Sequence, residues 1–308
     1  MTTHVLQYRF SDFALRKPAG RPLATLAVLA TALALLAVSY SSASAQEGLA
    51  SPWADGHNVR TRLIAGHGKL DGSDAGLIAG VEIDMTDGWK TYWRNPGEAG
   101  GVPPSFDWSG STNLASATVL YPAPRRFVDR AGTTIGYKAD TVFPVRIVPK
   151  DPREPVTLKL AFAFGTCKEI CVPGESSHEL TVPPGSAGPL PEALAASLRL
   201  VPSRSPSPND PVLRKSEVTL TGTAPRVLLH AEFPAGREGA DALAIGPDGE
   251  YVPTPVAKGE SGASGLLFEI DLTMGADIPA LTGKPVTITL VSDHGQSEAV
   301  VLLKPPAH

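Results

Sequence analysis

The sequence is poor in cysteine, in methionine and in charge of one sign. Two cysteines among 308 residues exclude a disulfide-dense mini-domain. Three methionines offer little soft-metal capacity. Lys and Arg number 27 against 31 Asp and Glu, a formal charge of −4. That excludes a strongly basic nucleic-acid binder, because neutralising phosphates needs a basic surface. Helical periodicity is scarce as well. What abounds is Gly and Pro, 30 of each, about a fifth of the chain where ~12% is usual. Both are poor in helix interiors, so the expected class is loop-rich and all-β. A hydrophobic content of 42% excludes global disorder. The length suggests two domains at roughly 150 residues each.

Residues 1–45 read as an export signal. Arg9, Arg16, Lys17 and Arg21 form a positive leader, Leu23 to Val38 an uncharged apolar run, and Ala43-Ser44-Ala45 a small-residue cleavage site. The run approaches membrane-spanning length, and an uncleaved anchor is the competing reading. Polar Ser39 to Ser42 and the A-x-A triplet favour cleavage after about Ala45. The mature chain would then start at Gln46 and carry no membrane span. Export places both cysteines where disulfides persist.

The expected organisation is a β-sandwich over 46–185, a short helix and Pro/Ser linker over 186–211, and a second sandwich over 212–308. Strand signals in the first part are residues 77–85, 141–148 and 156–164, separated by turn clusters such as Gly100-Gly101-Val102-Pro103-Pro104. Leu190 to Leu200 is the one convincing helix, with Leu190, Leu194, Leu198 and Val201 able to share a face. Pro202 to Pro208 reads as a stiff linker. The second part offers strands near 218–220, 227–231, 267–272, 286–291 and 299–303.

The chemistry sits in Cys167-Lys168-Glu169-Ile170-Cys171-Val172-Pro173. In one extended strand the two Cα atoms would lie about 13 Å apart. A disulfide needs less than about 7 Å. The chain must therefore turn, and a hairpin looping through Lys168-Glu169-Ile170 makes the cysteines cross-strand partners. A structural staple, a redox pair and a metal site are all compatible with this spacing. A loop this short yields only about 2 kcal/mol of chain-entropy stabilisation. That favours a bond that opens and closes without unfolding the domain. Lys168 would promote a thiolate and Glu169 oppose it. His178 could reach the pair only if the strand folds back, and a lone strand histidine is more often a surface residue. Copper-delivery proteins of the thioredoxin class also carry C-x-x-x-C-x-P with a distant His, but they need alternating strands and helices. No metal site and no cofactor is expected here.

The segment from Trp53 to Pro183 resembles the amino-terminal, immunoglobulin-like domain of the thiol:disulfide interchange protein DsbD family, and its ScsB-like branch in particular. The resemblance is carried by Gly88-Trp89-Lys90-Thr91-Tyr92-Trp93-Arg94-Asn95-Pro96-Gly97, Phe106-Asp107-Trp108, Gly136-Tyr137 before Phe143-Pro144-Val145, and the Cys167, Cys171, Pro173 string. It implies two immunoglobulin-like sandwiches and a periplasmic thiol:disulfide oxidoreductase that relays two electrons. The implied partners are thioredoxin-like periplasmic proteins or a membrane electron carrier of the DsbD type. Cys171 matches the cysteine that forms the mixed disulfide, and Cys167 the resolving one. The family shields its pair with an aromatic cap. The stretch from Phe127 to Tyr137 occupies that position, lacks the usual acidic-aromatic string, and makes Phe127 and Tyr137 the shielding candidates.

Trp89 to Gly97 is expected to be structural, with core aromatics followed by an Asn-Pro-Gly turn. Full-length relatives continue into a membrane domain and a thioredoxin-like domain. This sequence reaches His308 with neither, so electrons would come from a separate protein. The rival expectation is a non-enzymatic binding module with a structural disulfide, linked to copper tolerance or cytochrome c maturation.

Overall fold

A computed structural model describes residues 49–304 apart from 71–75, 130–131, 139 and 186. The expected export segment lies outside the described residues. Among these residues no helix is long and apolar enough to cross a membrane.

The first sandwich is built from β1 (Leu49–Ala50), β2 (Ala54–Gly56), β3 (Val59–Gly68), β4 (Gly76–Met85), β5 (Lys90–Tyr92), β6 (Ser105–Asp107), β7 (Leu114–Val119), β8 (Arg125–Asp129), β9 (Gly132–Tyr137), β10 (Thr141–Pro149), β11 (Val156–Cys167) and β12 (Cys171–Val182). One sheet runs β1-β3-β4-β10-β7 with β2 on β3, and the other runs β12-β11-β5-β9-β8 with β6 on β11. The strands form because apolar residues recur at every second position. In β11, Val156, Leu158, Leu160, Phe162 and Phe164 are buried and face the opposite sheet. They meet Leu63, Val81, Ile83, Phe143 and Val145, with Trp93 fully enclosed.

A short helix, α1 (Glu192–Leu198), comes next. Leu194 packs on Ile64, Ile78 and Val142, with Leu190 and Leu198 beside it, so the expected apolar stripe covers the outer face of the first sheet. Pro191 precedes the helix, and the regular turns are fewer than the expected stretch from 190 to 200.

The rest of the chain holds β13 (Val212–Thr219), β14 (Arg226–Glu232), β15 (Asp241–Ile245), β16 (Val256–Glu260), β17 (Gly265–Asp271), β18 (Pro285–Val291) and β19 (Gln296–Leu302). They form a sheet β13-β14-β17-β16 and a sheet β15-β18-β19 around a second apolar core. The architecture is all-β, as the composition led us to expect, and immunoglobulin-like, as the resemblance implied.

Strand β15 belongs to both cores. Ala242 and Ala244 point into the second core, while Leu243 is part of the first and Ile245 packs against it. This arises from the period-2 alternation of a strand whose two faces are both covered. Polar contacts border this apolar contact. Arg126 on β8 makes a bidentate pair with Asp241, at 2.8 and 2.7 Å, and also donates to the carbonyls of Ala242 and Pro255. The described residues from 49 to 304 accordingly fall in one compact unit.

Candidate functional site

β11 and β12 pair along their whole length, from Val156 opposite Val182 to Cys167 opposite Cys171. Lys168, Glu169 and Ile170 close the hairpin, with Lys168 N–H donating to Ile170 O. The two cysteines are therefore cross-strand neighbours at the hairpin tip, with Cα atoms 4.1 Å apart, and they form a disulfide. The turn deduced from spacing is the one present.

The disulfide lies on the sheet face turned away from the core. Phe162 and Phe164 of β11 point inward, so by alternation Gly165 and Cys167 point outward. On that outer face the pair is asymmetric. Cys167 is buried, with 7% of its surface exposed, whereas Cys171 is exposed. The tip itself is apolar and open, with Ile170 68% exposed.

Tyr92 on β5 lies beside the disulfide on that outer face. Its neighbours Thr91 and Trp93 face the core side, and Tyr92 faces the disulfide side. Its ring crosses β11 at Gly165, where a Cβ would press against both Tyr92 and Val102. Glycine there lets the ring lie flat on the backbone. The hydroxyl reaches the hairpin strand beyond, 2.9 Å from Cys171 Sγ. A sulfur in a disulfide carries no hydrogen, so the phenol donates. Tyr92 is itself covered by the segment from Gly97 to Val102. Gly101 adopts φ +147° and would clash with the ring if it carried a side chain. Gly165 N–H then donates to Val102 O at 3.1 Å, fastening the far end of the segment to β11.

Charged groups near the tip are directed elsewhere. Lys90 is the register partner of Cys167 and is buried, but its ammonium donates to Thr134 Oγ1 on β9. Lys168 reaches back to the carbonyl of Asp87. Among the described residues no cluster of His, Cys, Asp and Glu could hold a metal ion. The arrangement is suited to thiol–disulfide exchange, with one cysteine exposed and its bonded neighbour buried.

Comparison with known proteins agrees with this geometry. Residues 68–183 match the family described as thiol:disulfide interchange protein DsbD, N-terminal. The matched stretch carries the cysteine hairpin. Among solved structures, the N-terminal periplasmic domain of ScsB from Proteus mirabilis is similar in fold, with a TM-score of 0.62 at 20% identity. The match covers 84% of this chain and 99% of that one. No curated protein matches the chain. The chain thus contains a thiol–disulfide interchange module of the DsbD type, with its disulfide formed.

Within the DsbD-type domain the two aromatics expected to shield the pair lie elsewhere. Tyr137 faces the core, packs edge-on against Phe143, and donates its hydroxyl to Pro122 O. It sits on the sheet face opposite the disulfide, because it pairs with Thr91 rather than standing beside Tyr92. Burial, reinforced by Tyr121, raises its phenol well above the ordinary range. Phe127 does share the outer face, since it pairs with Thr134 on β9. But β9 and β5 separate its strand from β11, and its half-buried ring carries the Lys138 ammonium at 4.6 Å. The aromatic side chain that reaches the disulfide is Tyr92, which the sequence placed in the core together with Trp89 and Trp93. Those two tryptophans are core residues.

His178 is not a surface residue. It is buried, opposite Leu160, with Nε2 2.9 Å from Thr61 Oγ1 and 3.0 Å from Ser176 Oγ. The hairpin runs straight, so His178 lies seven strand residues from Cys171. Burial pushes its imidazole below the usual value.

Proposed function

We propose that this protein is a periplasmic thiol–disulfide interchange protein that relays two electrons through Cys167 and Cys171. The observation that carries this reading is the unequal exposure of the two bonded cysteines at the hairpin tip. In the reducing direction, the Cys171 thiolate attacks one sulfur of a partner's disulfide. A mixed disulfide forms and the partner's first thiolate leaves and takes a proton. Cys167 then loses its proton and attacks Cys171 Sγ. The partner's second thiolate departs, leaving a partner dithiol and the intramolecular bond. Two electrons and two protons have passed to the partner. The cysteines are recharged when a donor thiolate attacks Cys171 Sγ and expels Cys167, after which the donor's second thiolate attacks the donor sulfur of the mixed disulfide and releases Cys171, leaving the donor oxidised.

Tyr92 supports both halves of the cycle. Its O–H can stabilise negative charge on Cys171 by a charge-assisted bond. The apolar tip at Ile170 and the exposed Val102 suit docking of a thioredoxin-like donor or acceptor. A membrane carrier of the DsbD type is the other donor consistent with the family.

The test is covalent trapping in a periplasmic extract. A Cys167→Ala variant should accumulate a mixed disulfide through Cys171, because nothing resolves it. A Cys171→Ala variant should trap little, its remaining sulfur being sheltered. Equal trapping by the two variants, or none by either, overturns the reading.

A further inference from the structure

The second sandwich touches the first at a place that bears on the disulfide. Trp93 N–H donates to Ile135 O, and Ile135 N–H donates to Pro96 O. The chain thus leaves β9 after Trp93 and rejoins it at Pro96. Arg94 and Asn95 are extruded between these two bonds as a corner. Both are gripped by the second sandwich. Arg94 forms an ion pair with Glu298 on β19, a carboxylate that also faces Arg204 and Thr289. Asn95 Nδ2 donates to Ala244 O on β15 at 3.1 Å. The other end of the same side chain shapes the next turn of the backbone, since Asn95 Oδ1 accepts from Gly97 N–H at 3.1 Å.

Gly97 begins the segment that lies over Tyr92. Its φ is +91°, and those of Gly100 and Gly101 are +75° and +147°, so the path relies on conformations that other residues resist. Ala99 N–H is tied to Thr133 O, and Val102 O to Gly165 N–H. A continuous set of contacts therefore runs from Ala244 and Glu298, through Asn95 and Gly97, to Gly101, Tyr92 and Cys171.

We propose that the second sandwich holds the cover of the disulfide in place, with Asn95 as the positioning residue that couples β15 to the Gly97–Val102 segment above Tyr92. This inference rests on the redox role proposed for the cysteine pair. It gives the second sandwich a specific task, which is to set how readily an incoming thiolate reaches the bond. Freeing the corner should let the segment lift from Tyr92 and expose the sulfurs more often.

Asn95→Asp separates the two roles of the side chain. A carboxylate still accepts from Gly97 N–H but no longer donates to Ala244 O. The control is Asp241→Asn, which weakens the Arg126 pair in the same interface without touching the corner. The measurement is the rate at which dithiothreitol reduces the disulfide of the full chain, alongside the thermal unfolding midpoint. We expect Asn95→Asp to speed reduction by roughly three- to tenfold, the effect of one lost neutral hydrogen bond. Asp241→Asn should leave the rate unchanged even where it lowers the unfolding midpoint. An unchanged rate in Asn95→Asp overturns the inference, as does equal acceleration in the control. Should Asn95→Asp not fold, Glu298→Gln takes its place, with acceleration expected and an unchanged rate again overturning the inference. Failure of the redox role shows up differently. The wild-type disulfide would then not exchange with a reduced thioredoxin, whatever Asn95 does to the dithiothreitol rate.

Discussion

The hydroxyl of Tyr92 and the sulfur of Cys171, 79 residues apart in sequence, stand 2.9 Å from each other. The bond runs from a strand that contributes only three residues to the sheet, across β11, to the first residue of β12. It joins the exposed cysteine to a tyrosine that is 1% exposed. Changing this contact should alter sulfur chemistry without changing the fold.

Tyr92→Phe keeps the ring and its packing on Gly165 and Gly101 but removes the hydrogen. In the reduced protein the Cys171 thiolate then loses one charge-assisted donor. The onset of Cys171 alkylation by iodoacetamide should move upward by about one pH unit. Cys167 should stay the slower of the two, and mass spectrometry of the alkylated peptides reads both.

Gly101→Ala attacks the same contact from above. Its methyl group would overlap the Tyr92 ring, and the backbone is at a positive φ. The expected loss is about 1–3 kcal/mol, the usual range for overpacking. Urea unfolding measures it, and reduction of the disulfide by dithiothreitol should quicken in parallel.

His178 should make stability fall in mild acid. Burial depresses its folded value below the ordinary value of 6.5. Above about pH 6.5 the imidazole is neutral in both states and the contribution is complete. As pH falls below that value the unfolded chain takes up the proton first, so stability drops until the folded value is passed. His178→Gln should flatten this part of the curve. Urea midpoints across pH 7.5 to 5 (roughly the window set by an ordinary histidine) provide the comparison.

Leu243 should link the two cores. It is fully buried and projects from a strand of the second sandwich into the core of the first. Leu243→Ala should cost about 2–5 kcal/mol. A single calorimetric transition in the wild type should broaden or split in the variant.

The parts of the fold that were legible in sequence are those with strong alternation. β4, β10, β11, β17 and β18 announce themselves through Val, Ile, Leu and Phe at every second position. The cysteine hairpin was legible for a different reason, because four extended residues cannot bring two sulfurs together. β12 was legible only as the second arm of that hairpin, because Pro173, Gly174 and a Ser pair leave it without an alternating apolar signal of its own. The strand lies at the edge of its sheet, where a proline needs no inward donor. β5 is too short for any periodic signal. Even so, Trp89, Thr91 and Trp93 share a parity, and the odd one out is Tyr92. That parity was the available clue to its outward face. The grip of the second sandwich on Asn95 left no trace in the sequence, because its acceptor is a backbone carbonyl that any residue supplies.

The ladder between β11 and β12 extends right up to the two cysteines, whose strands stay registered by backbone bonds that do not involve sulfur. Opening the bond therefore need not part the two residues. Nothing larger than the gap between two atoms has to change over a redox cycle. A donor and an acceptor would meet nearly the same outline, and the choice between them falls to electron affinity rather than to shape.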